Sequence, residues 1–392
     1  MREKININIA NIIFVIFIIL FFIYTYNFNK NHSYSIGETS ESAPGLAFAK
    51  GKVISVNNDE VEENGDSYFE GAHKGEQFVE LEILEGEYKG KVVQCNNYLL
   101  TTNYMFLKEN DRVLIQITKD VVNDEMCYSI YQYDRRTVIY MMIVLFALII
   151  ILVGKMKGVK TVLALCFALY TILYFTLPLI YHGKSPIMIS ILTVVLISAI
   201  TLFLLNGWSE KTKAAFISTT LGVISSGVIY IVFSALLHIT GFHVGEASSI
   251  LLIKVTYGLQ VRDILFATIL IASLGAVMDV GMSISSALHE IVEMKPDITK
   301  KQLFVSGMNI GKDMIGTMTN TLILAFVGSS FISIMTIALS EMKVTQLINS
   351  NYFAVELLQG LSATMAVVLT VPIASFTSAY LYTEQSKLIK RN

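Results

Sequence analysis

The chain has 392 residues, with 29 Lys and Arg against 31 Asp and Glu, for a formal net charge of −2. Apolar residues make up 54% of it, charged residues only 15%, and the mean hydropathy is +0.59. A soluble domain carries about 25% charged residues, so this composition excludes a soluble globular protein; five prolines and no low-complexity tract exclude a disordered one.

The charge is unevenly placed. Residues 45–136 hold 17 acidic and 10 basic side chains, near −7, and the remainder 14 acidic and 19 basic, near +5. The acidic stretch reads as a separate solvated unit that repels nucleic acid. The basic excess elsewhere is of the kind that orients membrane helices.

In chain order, residues 5–26 form 22 mostly apolar positions behind Arg2 and Lys4. A signal-peptide core needs only about 7–15 apolar residues, whereas a bilayer takes about 20. Residues 1–26 are therefore expected to be an uncleaved transmembrane anchor, with the small residues Ala43, Ala47 and Ala49 as the alternative, a cleavage site. Residues 27–44 are polar and read as a linker.

Residues 45–135 change pattern. Short runs at 51–56, 77–83, 91–93, 112–117 and 126–133 carry strand-like sequence, the first two alternating with period two. Turn signals at 57–59, 63–65 and 108–111 separate them. Five short strands in under 100 residues predict a small OB-like β-barrel. Cys95 and Cys127 fall in this domain and Cys166 in an apolar run. In an oxidising exterior the first two could form a disulfide; two free thiols are the equal alternative.

Residues 136–392 are expected to hold seven spans, at 137–153, 162–181, 187–205, 214–238, 264–285, 314–339 and 353–382, making eight with the anchor. The positive-inside rule supports this count. With Arg2 and Lys4 cytoplasmic, the cytoplasmic segments hold 13 Lys and Arg, including Lys155, Lys157, Lys160, Lys211, Lys213, Lys295, Lys300 and Lys301, and the short exterior loops only four. Both termini are then cytoplasmic and residues 45–135 extracytoplasmic. Arg135 and Arg136 oppose the trend and read as barrel residues or interfacial anchors. Residues 239–262, where Lys254 interrupts an apolar run, suit a re-entrant or interfacial segment. The fold class is thus a polytopic α-helical membrane protein of about eight helices with a small extracytoplasmic β-barrel.

A charged side chain at mid-bilayer costs at least about 2.5 kcal/mol and needs a reason. Asp279, Ser283, Ser286 and Glu290 recur at helical spacing. So do Asn309, Asp313, Thr317 and Asn320, with Thr321 beside them. Glu356 lies in the last span with Gln359 and Thr364. Each group is read either as a cation, proton or solute site or as hydrogen bonding that fixes helix packing. Gly307 and Gly311 make a G-x-x-x-G step, and with Gly275 and Gly316 they are expected at helix contacts. His238, His243 and Glu246 have metal-ligand chemistry at ordinary spacing, a weak signal.

At these residues the chain resembles the YibE/F-like family of multi-span membrane proteins. The likeness is carried by residues 84–92 and 107–113, and by the motifs at 275–290 and 306–330. It covers residues 46–383. The resemblance implies eight or so helices and an extracytoplasmic domain, and brings no activity, so no catalytic or ligand residue is carried over.

Hard oxygen ligands on Asp279 and Asp313, with neutral oxygens from Ser283, Asn309, Thr317, Asn320 and Thr321, suit alkali or divalent cations. The leading expectation is a cation- or proton-coupled permease in a bacterial plasma membrane, with a small solute or cation as substrate, no cofactor and no enzymatic activity. A non-transporting scaffold whose barrel binds an envelope partner, or which forms a homo-oligomer, is the second. An intramembrane aspartyl enzyme is the third, although Gly311-Lys-Asp313 lacks the Gly-x-Gly-Asp arrangement such proteases use.

Overall fold

A computed structural model describes residues 2–32, 47–63, 73–99, 105–119, 126–239, 261–339 and 342–391. It divides into two compact units, His32–Ile149 and Met1–Asn31 with Ile150–Asn392.

The first unit carries β1 (Ala47–Glu63), β2 (His73–Ile83), β3 (Val92–Tyr98), β4 (Arg112–Lys119) and β5 (Met126–Tyr133) in one antiparallel sheet ordered β3-β2-β1-β4-β5. Period-two alternation sets its inner face: Val79, Leu81 and Ile83 on β2 and Val113, Ile115 and Ile117 on β4 are all buried. Gln77 and Asn97 are buried among them and satisfied. The Gln77 amide nitrogen donates to the Leu107 carbonyl at 3.1 Å, Asn97 donates to Gln77 Oε1 at 2.9 Å, and the Leu107 N–H donates to the same oxygen. These bonds hold the segment before β4 against the sheet.

Two expectations change here. The predicted turn at 57–59 is an irregularity inside β1, which runs on to Glu63 with a register shift between Asn57 and Glu60. Asn57 Oδ1 accepts from the Asp59 N–H at 2.8 Å, so the extra length is absorbed locally without reversing the chain. The predicted barrel is a curled half-barrel whose edge strands β3 and β5 share no ladder. No residue of β5 is fully buried; Tyr128, Ile130 and Tyr133 pack half-buried on the core and leave the seam beside β5 open. The turn at 108–111 is present, with Asn110 at φ 70° and the Lys108 N–H bonded to Asp111 Oδ2.

The helices are α1 (Arg2–Asn31), α2 (Arg136–Thr171), a π turn (Ile172–Thr176), α3 (Leu177–Tyr181), α4 (Pro186–Asn206), α5 (Glu210–Leu236), α6 (Val261–Met294), α7 (Lys300–Ser329), α8 (Phe331–Leu339), α9 (Val344–Ile348) and α10 (Asn351–Arg391). Among the described residues six helical runs are long and apolar enough to cross a membrane: Ile12–Asn31, Arg136–Tyr181, Pro186–Asn206, Glu210–Leu236, Arg262–Met294 and Asn351–Glu384. The chain is therefore a multi-pass membrane protein.

Eight separate spans are not shown: two of the predicted ones meet at a break inside one continuous run, and a third is divided. The predicted spans 137–153 and 162–181 fall in one 46-residue run, about 69 Å if straight against a hydrocarbon core of about 30 Å. Within it Lys155 leaves helical geometry at φ 50°, ψ −130°. The chain creases there so tightly that a Cβ on Gly158 would meet the Ile150 carbonyl group and lie 3.0 Å from the Ile151 Cα. The predicted span 314–339 is divided between α7 and α8, and α7 is too polar to count as a spanning helix by composition.

Serine, threonine and tyrosine bonds tie the remaining helices together. Ser226 and Ser273 join α5 to α6 at 3.1 Å; Ser285 and Ser378 join α6 to α10 at 3.1 Å; and the Tyr382 hydroxyl donates to the Ser285 carbonyl at 2.9 Å. Around them pack Val277, Val280, Ile284, Leu288, Val367 and Val371. α1 docks through Phe21 on Phe167 and Phe175, and Asn29 donates to the Tyr174 carbonyl in the π turn. A π turn loosens the regular bonding ladder, which leaves carbonyls open to such partners.

Candidate functional site

α6 is buried along one face by Leu270, Val277, Val280, Ile284 and Leu288. Its opposite face carries Gly275, Asp279, Ser283 and Glu290, all exposed, with Ser286 half-buried. The helix leads into α7 through a short loop ending in a capping box, in which Thr299 Oγ1 accepts from the Gln302 N–H and Gln302 accepts from the Thr299 N–H.

α7 packs by glycine. A Cβ on Gly307 would meet Ser375 Oγ at 2.6 Å and Leu288 Cδ1 at 2.9 Å; one on Gly311 would press on Val371, whose Cβ lies 3.1 Å away. Only glycine lets α7 approach α6 and α10 this closely. Leu303, Gly307 and Gly311 are the buried residues of the helix. Asn309, Asp313, Thr317, Asn320 and Thr321 lie on the exposed side, and Lys312 is exposed beside them.

The two carboxylates occupy similar levels. Leu288 abuts Gly307 across the antiparallel α6–α7 pair. Nine residues farther along each helix, about 13.5 Å by the helical rise, stand Asp279 and Gly316. Asp313 is one turn from that level. Each aspartate is also near the middle of its helix, about 20 Å or more from either end.

Among the described residues neither aspartate makes an ion pair or a side-chain hydrogen bond, and no group of three His, Cys, Asp or Glu clusters as a metal set. Thr317 and Thr321 bond back to the Met314 and Thr317 carbonyls. The two stripes are thus at one level but outward-facing, with no bond between them. Of the four glycines expected at helix contacts, Gly307 and Gly311 are packed, while Gly275 and Gly316 have nothing within 4 Å of a Cβ position.

Glu356 stands apart, on the first turns of α10. Its Oε2 accepts from Ser330 Oγ at 2.6 Å, at the junction of α7 and α8. Ser330 is 17 residues beyond Asp313, about 25 Å along the chain of helical turns. A cavity of about 190 Å³ opens beside it, lined by Phe326, Tyr352, Phe353 and Leu357. Thr364 is buried and bonded to the Gly360 carbonyl.

Cys95 and Cys127 are unbonded: Cys95 points into the sheet's core and Cys127 is exposed. Burial pushes the Cys95 thiol up to about 11. His243, Glu246 and the interrupted apolar run at 250–254 lie outside the described residues.

The small and hydroxylated face of α5, with Ser218, Gly222, Ser225, Ser226, Tyr230 and Ser234, reads from sequence as a helix-packing face, and Ser226 does meet Ser273; the partners on α6 and α10 carry no sign in the sequence of which neighbour they will meet. Their signal was the density of Ser and Thr inside spans. Arg136, which opposed the charge rule, proves to be bonded to Asp134 and Glu85 within the first unit.

Two family models match the chain: one described as YibE/F-like protein over residues 142–384, and one described as the YibE/F family N-terminal domain over residues 49–133. No curated protein and no solved structure matches it.

Proposed function

We propose that this chain, which belongs to the YibE/F-like family, is a membrane permease that moves a small cation, or a solute coupled to a cation or proton. The observation that carries this reading is the pair of mid-helix carboxylates, Asp279 and Asp313, at one level on α6 and α7 with amide and hydroxyl oxygens on the same faces. Ionisable groups halfway along membrane helices mark ion and substrate paths more often than they serve packing. Here packing is supplied by other residues, the buried serines and Gly307 and Gly311. The ligand chemistry is hard oxygen, which favours alkali or divalent cations or protons.

In this reading the protein lies in a bacterial plasma membrane with both termini cytoplasmic and residues 45–135 outside, an orientation supported by the excess of Lys and Arg in the cytoplasmic segments. The five-stranded sheet β3-β2-β1-β4-β5 is read as a partly open OB-like barrel, and the acidic domain gathers cations at the membrane surface.

The test is flux in liposomes holding the full chain, with Na⁺, K⁺, Mg²⁺ and proton gradients. Uptake in the wild type that falls at least tenfold in both Asp279→Asn and Asp313→Asn supports the reading. Absence of flux for every ion, with both variants folded and active in cells, removes it.

A second reading, a scaffold, is favoured by one feature of the sheet. Phe48 and Tyr131 meet edge to face at 5.2 Å while both remain exposed, an aromatic pair on the outer surface suited to a protein partner.

A further inference from the structure

We propose that a second copy of this chain covers the polar side of α7, so that the Asp313 site is completed between two subunits. This rests on the reading of Asp313 as a site residue and adds what encloses it.

α7 is 30 residues long, about 45 Å, enough to cross a bilayer. It is absent from the six runs apolar enough to cross by composition. From Lys312 to Ser329 no residue is fully buried, and the inner side is only partly covered, with Met314, Ile315, Met318 and Leu322 packed half-buried against the core. Its outward stripe holds Asn309, Asp313, Gly316, Thr317 and Asn320 at intervals of three and four, with Lys312 at the edge.

The threonine hydroxyl in this stripe is satisfied by its own helix. The Asn309 and Asn320 amides, the Lys312 ammonium and the Asp313 carboxylate have no partner among the described residues. Acyl chains offer none: each charge left facing them costs at least about 2.5 kcal/mol, and unbonded amides add to that.

The stripe's chemistry selects its cover. It carries donors and acceptors of both signs in one short run. Asparagine amides pair with asparagine amides, and Lys312 of one copy answers Asp313 of the other. A surface that complements itself is what a two-fold interface requires. Gly316 lies in the middle of the stripe with nothing within 4 Å of its Cβ position, so a second helix can bring its backbone close there. The other small-residue face of α7, Gly307 and Gly311, is already spent on α6 and α10.

The test uses the full chain in nanodiscs with Cys95, Cys127 and Cys166 replaced by alanine. Single cysteines are introduced by Thr317→Cys and Asn320→Cys, with Leu369→Cys, on an exposed part of α10, as the control. Subunit number is counted by single-molecule photobleaching, and disulfide formation is driven by copper phenanthroline. The expected result is two subunits per disc, with cross-links at 317 and 320 at least tenfold above those at 369.

Gly316→Leu should raise the monomer fraction about tenfold without lowering the thermal unfolding temperature of the isolated subunit. One subunit per disc, or dimers that cross-link at 369 and not at 317 or 320, overturns the proposal. Flux separates it from the function it rests on. Flux is read on the cysteine-free parent, which keeps Thr317 and Asn320: monomers that conduct would remove the second copy and keep the permease, and two-subunit discs that conduct nothing would do the reverse.

Discussion

Arg136 Nε lies 2.8 Å from Asp134 Oδ1, and the same guanidinium reaches Glu85 Oε1 at 3.1 Å through Nη2. Lys50 adds a longer pair to Glu85 at 3.6 Å. The Asp134 side chain is only 3% exposed, and the hydrogen bond from Arg136 holds its carboxyl below the usual carboxylate range. A carboxyl with a depressed native pKa binds fewer protons folded than unfolded. Its stabilisation is therefore complete above the unfolded value, about 3.9, and is lost as pH falls through the native value.

Hydrogen exchange in β4 and β5 of the detergent-solubilised full chain, corrected for intrinsic rates, should be flat from pH 7 to 5 and rise below about pH 4. Asp134→Asn should remove part of that acid dependence. Arg136→Ala should raise exchange at pH 7 by about 1 kcal/mol, a modest figure because the guanidinium is partly solvated. An identical acid limb in wild type and Asp134→Asn would show that the pair is not coupled to folding.

The crease at Lys155 predicts an intolerant glycine. Gly158 sits where a Cβ would collide with the Ile150 carbonyl group, and backbone cannot move aside as a flexible side chain can. Gly158→Ala should lower the unfolding midpoint of the detergent-solubilised chain, at a cost of about 1–3 kcal/mol, whereas Gly154→Ala, with open space at its Cβ position, should raise it slightly or leave it unchanged. Equal effects from the two substitutions would mean that the arms on either side of Lys155 are not creased.

The crease also shows where sequence reading stops. Apolar runs at 137–153 and 162–181 were visible because hydrocarbon selects for them, and the lysines between them marked a boundary. Whether that boundary was a loop or a sharp bend depends on how Gly158 meets Ile150, a contact that no periodicity encodes. The strands were legible because Val113, Ile115 and Ile117 alternate cleanly. Asn57-Asn-Asp59 misled because the same side-chain bond that builds a turn also stabilises a bulge. For Asp279 and Asp313, spacing revealed which residues share a face. It could not reveal whether a neighbouring helix covers that face, since this depends on the packing of α10 against Gly307 and Gly311.

The three cysteines give a direct check on the described surfaces. Cys95 on β3 is buried with its thiol raised to about 11, and Cys127 on β5, the opposite edge strand, is exposed. Burial both shields the Cys95 sulfur from reagents and disfavours its reactive thiolate form. A membrane-impermeant maleimide should therefore modify Cys127 at least a hundredfold faster than Cys95, and labelling of Cys127 in intact cells would place the sheet outside. Cys166, exposed on a helix apolar enough to span, should react only with a lipid-soluble reagent. Fast labelling of Cys95, or a Cys95–Cys127 bridge found by mass spectrometry without reductant, would contradict the core described for the sheet.

Glycines on the two sides of α7 should respond in opposite ways. Gly311 faces Val371 at a distance that leaves no room for a methyl group, whereas Gly316 faces open space. Gly311→Ala forces α7 away from α10, and overpacking of this kind costs about 1–3 kcal/mol. Gly316→Ala adds a methyl group where nothing opposes it within the subunit and removes a flexible residue from a helix interior, which favours the fold by about 0.5–1 kcal/mol. Thermal unfolding of the two variants in detergent, where subunits are dispersed, should therefore move in opposite directions. If both destabilise the isolated subunit equally, the outer face of α7 is already occupied by its own chain, and the level shared by Asp279 and Asp313 must be enclosed from within.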